Sequence, residues 1–131
     1  MAVNPNKLIP AKIKLKSSDD EIFEVDYAIA AELGVLGFML EVCMELPIPL
    51  PFISSKVLSK LIEYTEYHLH AANTISEEEV NKWDQQFIKV DDDTLFDLLM
   101  VAYSLAVSKL YRFLTQAVAD RIKEEGKRNH A

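Results

Sequence analysis

Apolar and polar residues alternate with a period of two near the start of the chain, in Ile13-Lys14-Leu15-Lys16 and, less strictly, in Ile22-Phe23-Glu24-Val25. Between them lies the turn-forming run Ser17-Ser18-Asp19-Asp20-Glu21. Such alternation sends one face to a core and the other to water, so the segment predicts a β-hairpin. Asp26 is placed to accept hydrogen bonds from the free amides of a short helix, Tyr27 to Leu33, which Gly34 ends. A second short helix is expected from Leu36 to Val42. The stretch Leu46-Pro47-Ile48-Pro49-Leu50-Pro51 then interleaves apolar residues with prolines. Proline has no amide hydrogen, so a strand here can pair fully on one side only and belongs at a sheet edge.

From this point the period lengthens to that of helices. Ser54 or Ser55 caps a helix whose stripe Val57, Leu58, Leu61, Ile62 and Thr65 faces a core, with Lys60, Glu63 and Glu66 on the outer face. Residues His68 to Glu79 lose the periodicity and predict an exposed loop of roughly a dozen residues. Trp83 and Phe87, four apart, predict a helical segment that sets two rings in the core. The triplet Asp91 to Asp93 reads as punctuation rather than a metal site. Asp92 or Asp93 caps the next helix, and Thr94 with Asp97 has the spacing of a capping box. Beyond it, Leu95, Leu98, Leu99 and Ala102 form a stripe that Phe96 and Met100 widen. A last helix carries Val107, Leu110, Leu114, Val118 and Ile122 and ends in the charged run KEEGKRNHA. The stretch LFDLLMVAYSL is apolar beyond a single stripe, more than a small core hides, and binding to another chain is the natural outlet.

The 131 residues predict one domain over 12-123, with a flexible N-terminus (1-11) and a charged tail (124-131). A hydrophobic share of 50% against 27% charged residues marks a folded chain, and the formal charge of -7 speaks against nucleic-acid binding, which needs clustered Lys and Arg. Cys43 is the only cysteine, in an apolar neighbourhood where a thiol behaves as a small hydrophobe; no internal disulfide, no zinc site and a reducing compartment are expected. No signal-peptide core or membrane-length apolar run occurs, so a soluble, intracellular protein without membrane contact is expected. His68 and His70 point to different faces of a helix and His130 lies in the tail, so neither metal nor cofactor is expected. No phosphate-cradling glycine array or nucleophile motif occurs either, and the chain does not read as an enzyme. The pairs Tyr64-Tyr67 and Tyr103-Tyr111 read as core or interface rings.

Four stretches go further: IKLKSSDDEIFEVD (Ile13 to Asp26), PIPLP (Pro47 to Pro51) followed by a helix, WDQQFIKVDDDTLFDLL (Trp83 to Leu99) and TQAVADRI (Thr115 to Ile122). In order and spacing they resemble the S-phase kinase-associated adaptor family, the small subunit of Skp-cullin-F-box ubiquitin ligases, over residues 12-123. The resemblance implies a BTB/POZ-like α/β (α+β) fold. Its parts would be a small three-stranded sheet with an N-terminal hairpin and an edge strand, covered by about five to six helices. It implies a non-catalytic adaptor with an F-box-type receptor on one surface and a cullin-type scaffold on another. The family's receptor-facing positions are matched at Phe96, Val118 and Ile122, while Tyr111 and Thr115 stand where Leu and Cys are typical. The family's cullin-facing AANYLD is here VAYSLA, with Tyr103 and Ser104 in place of the Asn-Tyr pair and Ala106 in place of the Asp. Asp20 stands where the family's hairpin turn has glycine. Family members usually continue into two further helices that clasp the F-box, so the expectation is a divergent, truncated adaptor that keeps the groove's floor. SSKVLSKLIEYTEYHL (Ser54 to Leu69) is similar to elongin C as well. The alternative is a self-associating domain, a homodimer or a docking domain of another complex, without ubiquitin-ligase activity.

Overall fold

The computed structural model describes residues 12-42 and 47-129. Residues 1-11, Cys43, Leu46 and His130 lie outside the described residues, and with them what the sequence predicts there. Contacts divide the chain into two compact units, Met1–Leu69 and His70–Ala131.

In the first unit the period-two segments form the expected hairpin. Strand β1 (Lys12–Lys16) runs antiparallel to β2 (Ile22–Asp26), with Ile13 opposite Val25 and Leu15 opposite Phe23. Ile13, Leu15 and Val25 are buried, and the lysines of β1 face outward or to the rim. The turn needs one residue in the left-handed region, and Asp20 takes it at φ 66°. Asp tolerates that geometry better than most side chains do. Strand β3 (Ile48–Pro49) pairs parallel to β1, giving a mixed sheet in the order β2-β1-β3. Leu50 donates its N–H to Lys16 O at 2.8 Å. Successive amides of a strand point to opposite sides, so Pro47 and Pro49 occupy the positions that face away from β1.

Helix α1 (Tyr27–Ala31) follows β2 directly. Asp26 stands at its N-cap but makes no side-chain capping bond, contrary to the sequence expectation. Lys12 Nζ donates to Asp26 Oδ1 at 2.6 Å, and this cross-strand partner holds the carboxylate away from the helix amides. The helix closes at Glu32, and Gly34, at φ 58°, turns the chain into α2 (Val35–Val42). A Cβ on Gly37 would stand 2.4 Å from Ala31 O, so only glycine lets α2 approach α1 this closely.

Helix α3 (Ser55–Ala71) buries Val57, Leu58, Leu61, Tyr64 and Thr65. Of the two candidate caps it is Ser54 that accepts, from Val57 N at 3.3 Å. Ser55 instead donates from its N–H (2.8 Å) and hydroxyl (2.6 Å) to the Asp19 carboxylate, which also accepts from Ser17 Oγ at 2.7 Å. The Ser55 hydroxyl first, then that of Ser17 and the Ser55 amide, favour the anion and hold Asp19 down at about 2. The hairpin turn is thereby tied to the start of α3.

The predicted loop over 68-79 is corrected. α3 continues through His68 and His70 to Ala71, and α4 (Glu77–Phe87) begins only six residues later. His68 stacks on Tyr64 at 4.1 Å and meets Tyr67 at 5.7 Å, so the histidine sits between the two tyrosines rather than at a solvated loop end. Ser76 caps α4 by accepting from Glu79 N at 3.2 Å, and Glu77, Glu78 and Glu79 complement the positive end of the helix.

In the second unit, α4 is joined by α5 (Asp92–Ser104) and α6 (Ser108–Asn129). Phe87 is buried, but Trp83 is only half-buried, stacked on Phe87 at 5.3 Å and 16°, so one ring and not two belongs to the core. Three strands and six helices among the described residues make the expected α+β architecture.

Candidate partner-binding groove

The start of α5 is set by one carboxylate of the acidic triplet. Asp91 has extended backbone at φ -65° and ψ 161°, and accepts from Thr94 N (3.2 Å) and Thr94 Oγ1 (2.6 Å). The cap is thus one residue earlier than predicted. The Thr94-Asp97 box does not form, because Thr94 lies inside the helix, buried, with its hydroxyl spent on Asp91. Asp92 and Asp93 occupy the first turn and face solvent.

α5 and α6 pack along each other, joined by a tight turn. Ala106 lies at φ 59°. Its N–H donates to Tyr103 O (3.1 Å) and that of Val107 to Ala102 O (2.9 Å), the bond pair of a Schellman closure. Leu95, Leu98, Val101 and Ala102 of α5 and Leu110, Leu114 and Ala117 of α6 are sealed in the core. One helical step round from these residues a second apolar strip stays open. On α5 it comprises Phe96 (54% exposed), Met100 (47%) and Tyr103 (65%); on α6 it comprises Tyr111, Thr115, the half-buried Val118, and Ile122 (66%).

Phe96, Val118 and Ile122 come together as the floor of a groove of about 310 Å³, with Asp92, Asp93 and Glu125 around it. Tyr111 does not join them there. Its ring lies 5.7 Å from that of Tyr103, so a residue assigned to the receptor surface and one assigned to the scaffold surface form one aromatic pair. Thr115 is exposed one turn further on, and its hydroxyl donates back to Tyr111 O at 2.7 Å. Ser104 is exposed at the end of α5.

Arg121 has a role that sequence reasoning missed. It donates to Ile88 O (2.8 Å), Val90 O (2.9 Å) and Asp92 Oδ1 (2.9 Å), tying the α4-α5 connection to α6 at the groove's edge. The one sequence signal is an arginine beside an apolar stripe, which carries little by itself. A second concavity of about 280 Å³ lies between Gln85, Phe113, Gln116 and Asp120, where Gln116 donates to Asp120 at 2.8 Å. Among the described residues no group of three or more His, Cys, Asp and Glu is arranged to hold a metal, and no helix is long and apolar enough to cross a membrane.

Residues 11–70 match the family model described as Skp1 family, tetramerisation domain. Similarity to whole proteins extends further. The chain is 42% identical over 113 residues to SKP1-like protein 12 of Arabidopsis thaliana, covering 85% of this chain and 74% of that protein. It is 42% identical over 130 residues to SKP1-like protein 1 of Oryza sativa subsp. japonica, covering 85% and 75%. With SKP1-like protein 7 of Arabidopsis thaliana it shares 36% identity over 115 residues, covering 86% of this chain and 92% of the relative. Identity at this level across both compact units, together with the hairpin, the proline edge strand and the α5-α6 pair, places the chain in the Skp1 family, with that family's BTB/POZ-like fold.

Proposed function

We propose that this protein is a non-catalytic adaptor of Skp-cullin-F-box ubiquitin ligases, working in the cytoplasm and nucleus. The observation that carries the reading is the meeting of exposed Phe96 and Ile122 with half-buried Val118 in one groove, in a chain of this family. An F-box receptor would bury this strip, and a cullin scaffold would take the neighbouring Tyr103 and Ser104. Because Tyr103 touches Tyr111, the two surfaces adjoin. The adaptor works by bridging: two partners held on one small body meet at an effective concentration far above their free ones, which brings substrate to the ligase without new chemistry. The test is co-purification with an F-box protein and with a cullin. Phe96→Ala is expected to weaken F-box capture by about 2 kcal/mol or more, near thirtyfold, while cullin capture is retained. Tyr103→Ala should do the reverse. Recovery of neither partner by the unmodified protein overturns the reading.

Self-association is a second reading. It is supported by the matched model's description as a tetramerisation domain and by the exposed Val35 (43%) and Phe38 (67%) on α2 in the matched residues. Light scattering at micromolar concentration tests it, and a strict monomer rules it out.

A further inference from the structure

Among the described residues that line the apolar groove, carboxylates outnumber cations. Three carboxylates line it, those of Asp92, Asp93 and Glu125, against one cation, Arg121. That cation is already committed. Its guanidinium divides between two backbone carbonyls and Asp92, so only Asp92 has a counter-charge. Asp93 and Glu125 are exposed and form no ion pair with any described residue, and no lysine lines the groove. The positive end of α5 offsets part of the Asp92 and Asp93 charge, but Glu125, near the far end of α6, gains nothing from it. At the opposite end of the strip the lining turns aromatic and neutral, with Tyr103 and Tyr111. The strip is therefore polarised, acidic where the groove lies and aromatic at its other end.

We propose that the groove selects an amphipathic partner helix whose apolar anchor is flanked by lysine or arginine, with the basic residues over Asp93 and Glu125. This rests on the adaptor reading for the site itself and adds the chemistry by which one receptor is preferred to another. The strip spans twelve residues of α6 from Tyr111 to Ile122, a rise of about 16 Å between its ends, which three turns of a partner helix match. A basic flank placed over these carboxylates gains a rim contact whose effect lies mainly in choice of partner and rate of encounter.

The test uses two capped synthetic helices of about 15 residues with the same leucine face, one flanked by lysine and the other by glutamine. Binding to the full chain is measured by fluorescence anisotropy. The lysine peptide should bind roughly threefold to tenfold more tightly near 0.1 M salt, and the preference should fade towards 1 M as screening shortens. Asp93→Asn with Glu125→Gln should erase the preference while retaining the glutamine peptide's affinity. Glu24→Gln with Glu32→Gln, the same charge removed from the first unit, should preserve it. Phe96→Ala should weaken both peptides. Equal binding of the two peptides, a preference that survives Asp93→Asn with Glu125→Gln, or no binding of either peptide overturns the proposal. Loss of F-box recovery with peptide selectivity intact would instead overturn the adaptor reading and leave this one standing.

Discussion

Replacing Arg121 with methionine removes three hydrogen bonds while keeping an apolar stem along α6. The bonds differ in worth. The contact with Asp92 is an ion pair whose acid is 69% exposed, so solvent screens it and it contributes about 0-1 kcal/mol. The bonds to Ile88 O and Val90 O, at 2.8 and 2.9 Å, satisfy part-buried carbonyls in the connection between α4 and α5. Each contributes about 1 kcal/mol net. Arg121→Met should therefore cost about 2-3 kcal/mol, with the carbonyl bonds deciding the total. Urea unfolding followed by Trp83 fluorescence reads this directly, because Trp83 is the single tryptophan and stacks on Phe87 in the same unit. Arg121→Lys should recover about 1 kcal/mol, since a compact ammonium cannot fork between two carbonyls. Asp92→Asn should cost under about 1 kcal/mol. The reasoning fails if Arg121→Met stays within about 0.5 kcal/mol of the parent, or if Asp92→Asn costs as much as Arg121→Met.

Asp19 is held at about 2, below its ordinary 3.8, so the stability it contributes is complete above pH 3.8 and is lost as pH falls through about 2. The stability gap between the parent and Asp19→Asn, measured by chemical unfolding across pH 2-6, should therefore close on acidification; a constant gap counts against the Ser17 and Ser55 bonds as its source. Two glycine-to-alanine changes should have opposite signs in the same melting assay. Gly37→Ala forces a methyl to 2.4 Å from Ala31 O and should cost about 1-3 kcal/mol, whereas Gly126→Ala meets nothing within 4 Å inside α6 and should gain up to about 1 kcal/mol. Ala106→Gly relieves a left-handed alanine and should stabilise by ~0.5 kcal/mol after the added freedom of the unfolded chain is counted; a loss would refute strain at that turn. Leu98→Ala, at a fully buried position, should cost about 2-5 kcal/mol, against under about 1 kcal/mol for the half-exposed Phe96→Ala, so only the second is a clean probe of binding.

The hairpin and the edge strand could be read from sequence because each carries a signal the backbone cannot evade: strict alternation in Ile13 to Lys16, and missing amides at Pro47 and Pro49. The boundary between α3 and α4 could not, since His68 to Glu79 has no apolar stripe and the helices there are fixed by ring stacking on His68 and by the Ser76 cap. Three adjacent aspartates likewise left the cap of α5 open, and backbone geometry, which composition does not encode, selected Asp91. The open strip was hidden by arithmetic. Residues spaced by four drift about 40° per step, so the series Leu110, Leu114, Val118, Ile122 turns by about 120° between its ends. Its first two members are fully buried, its third is half-buried and its fourth is 66% exposed. Spacing alone reads all four as core; only resemblance to a family marks the last two as partner-facing. The committed guanidinium of Arg121 and the meeting of Asp93 and Glu125 at one groove depend on tertiary position and left no trace in the pattern.

The two borders of the small sheet are unequal in a way that bears on how the protein behaves when crowded. Beside β3, prolines sit where outward amides would be, so a foreign strand arriving there finds acceptors without donors and cannot zip on. The border at β2 has no such block among the described residues, and it carries the half-exposed Ile22. Amyloid-like growth or runaway stacking of copies, if it starts anywhere on this sheet, is thus directed to β2, and one proline introduced on its outer rim should act as a gatekeeper.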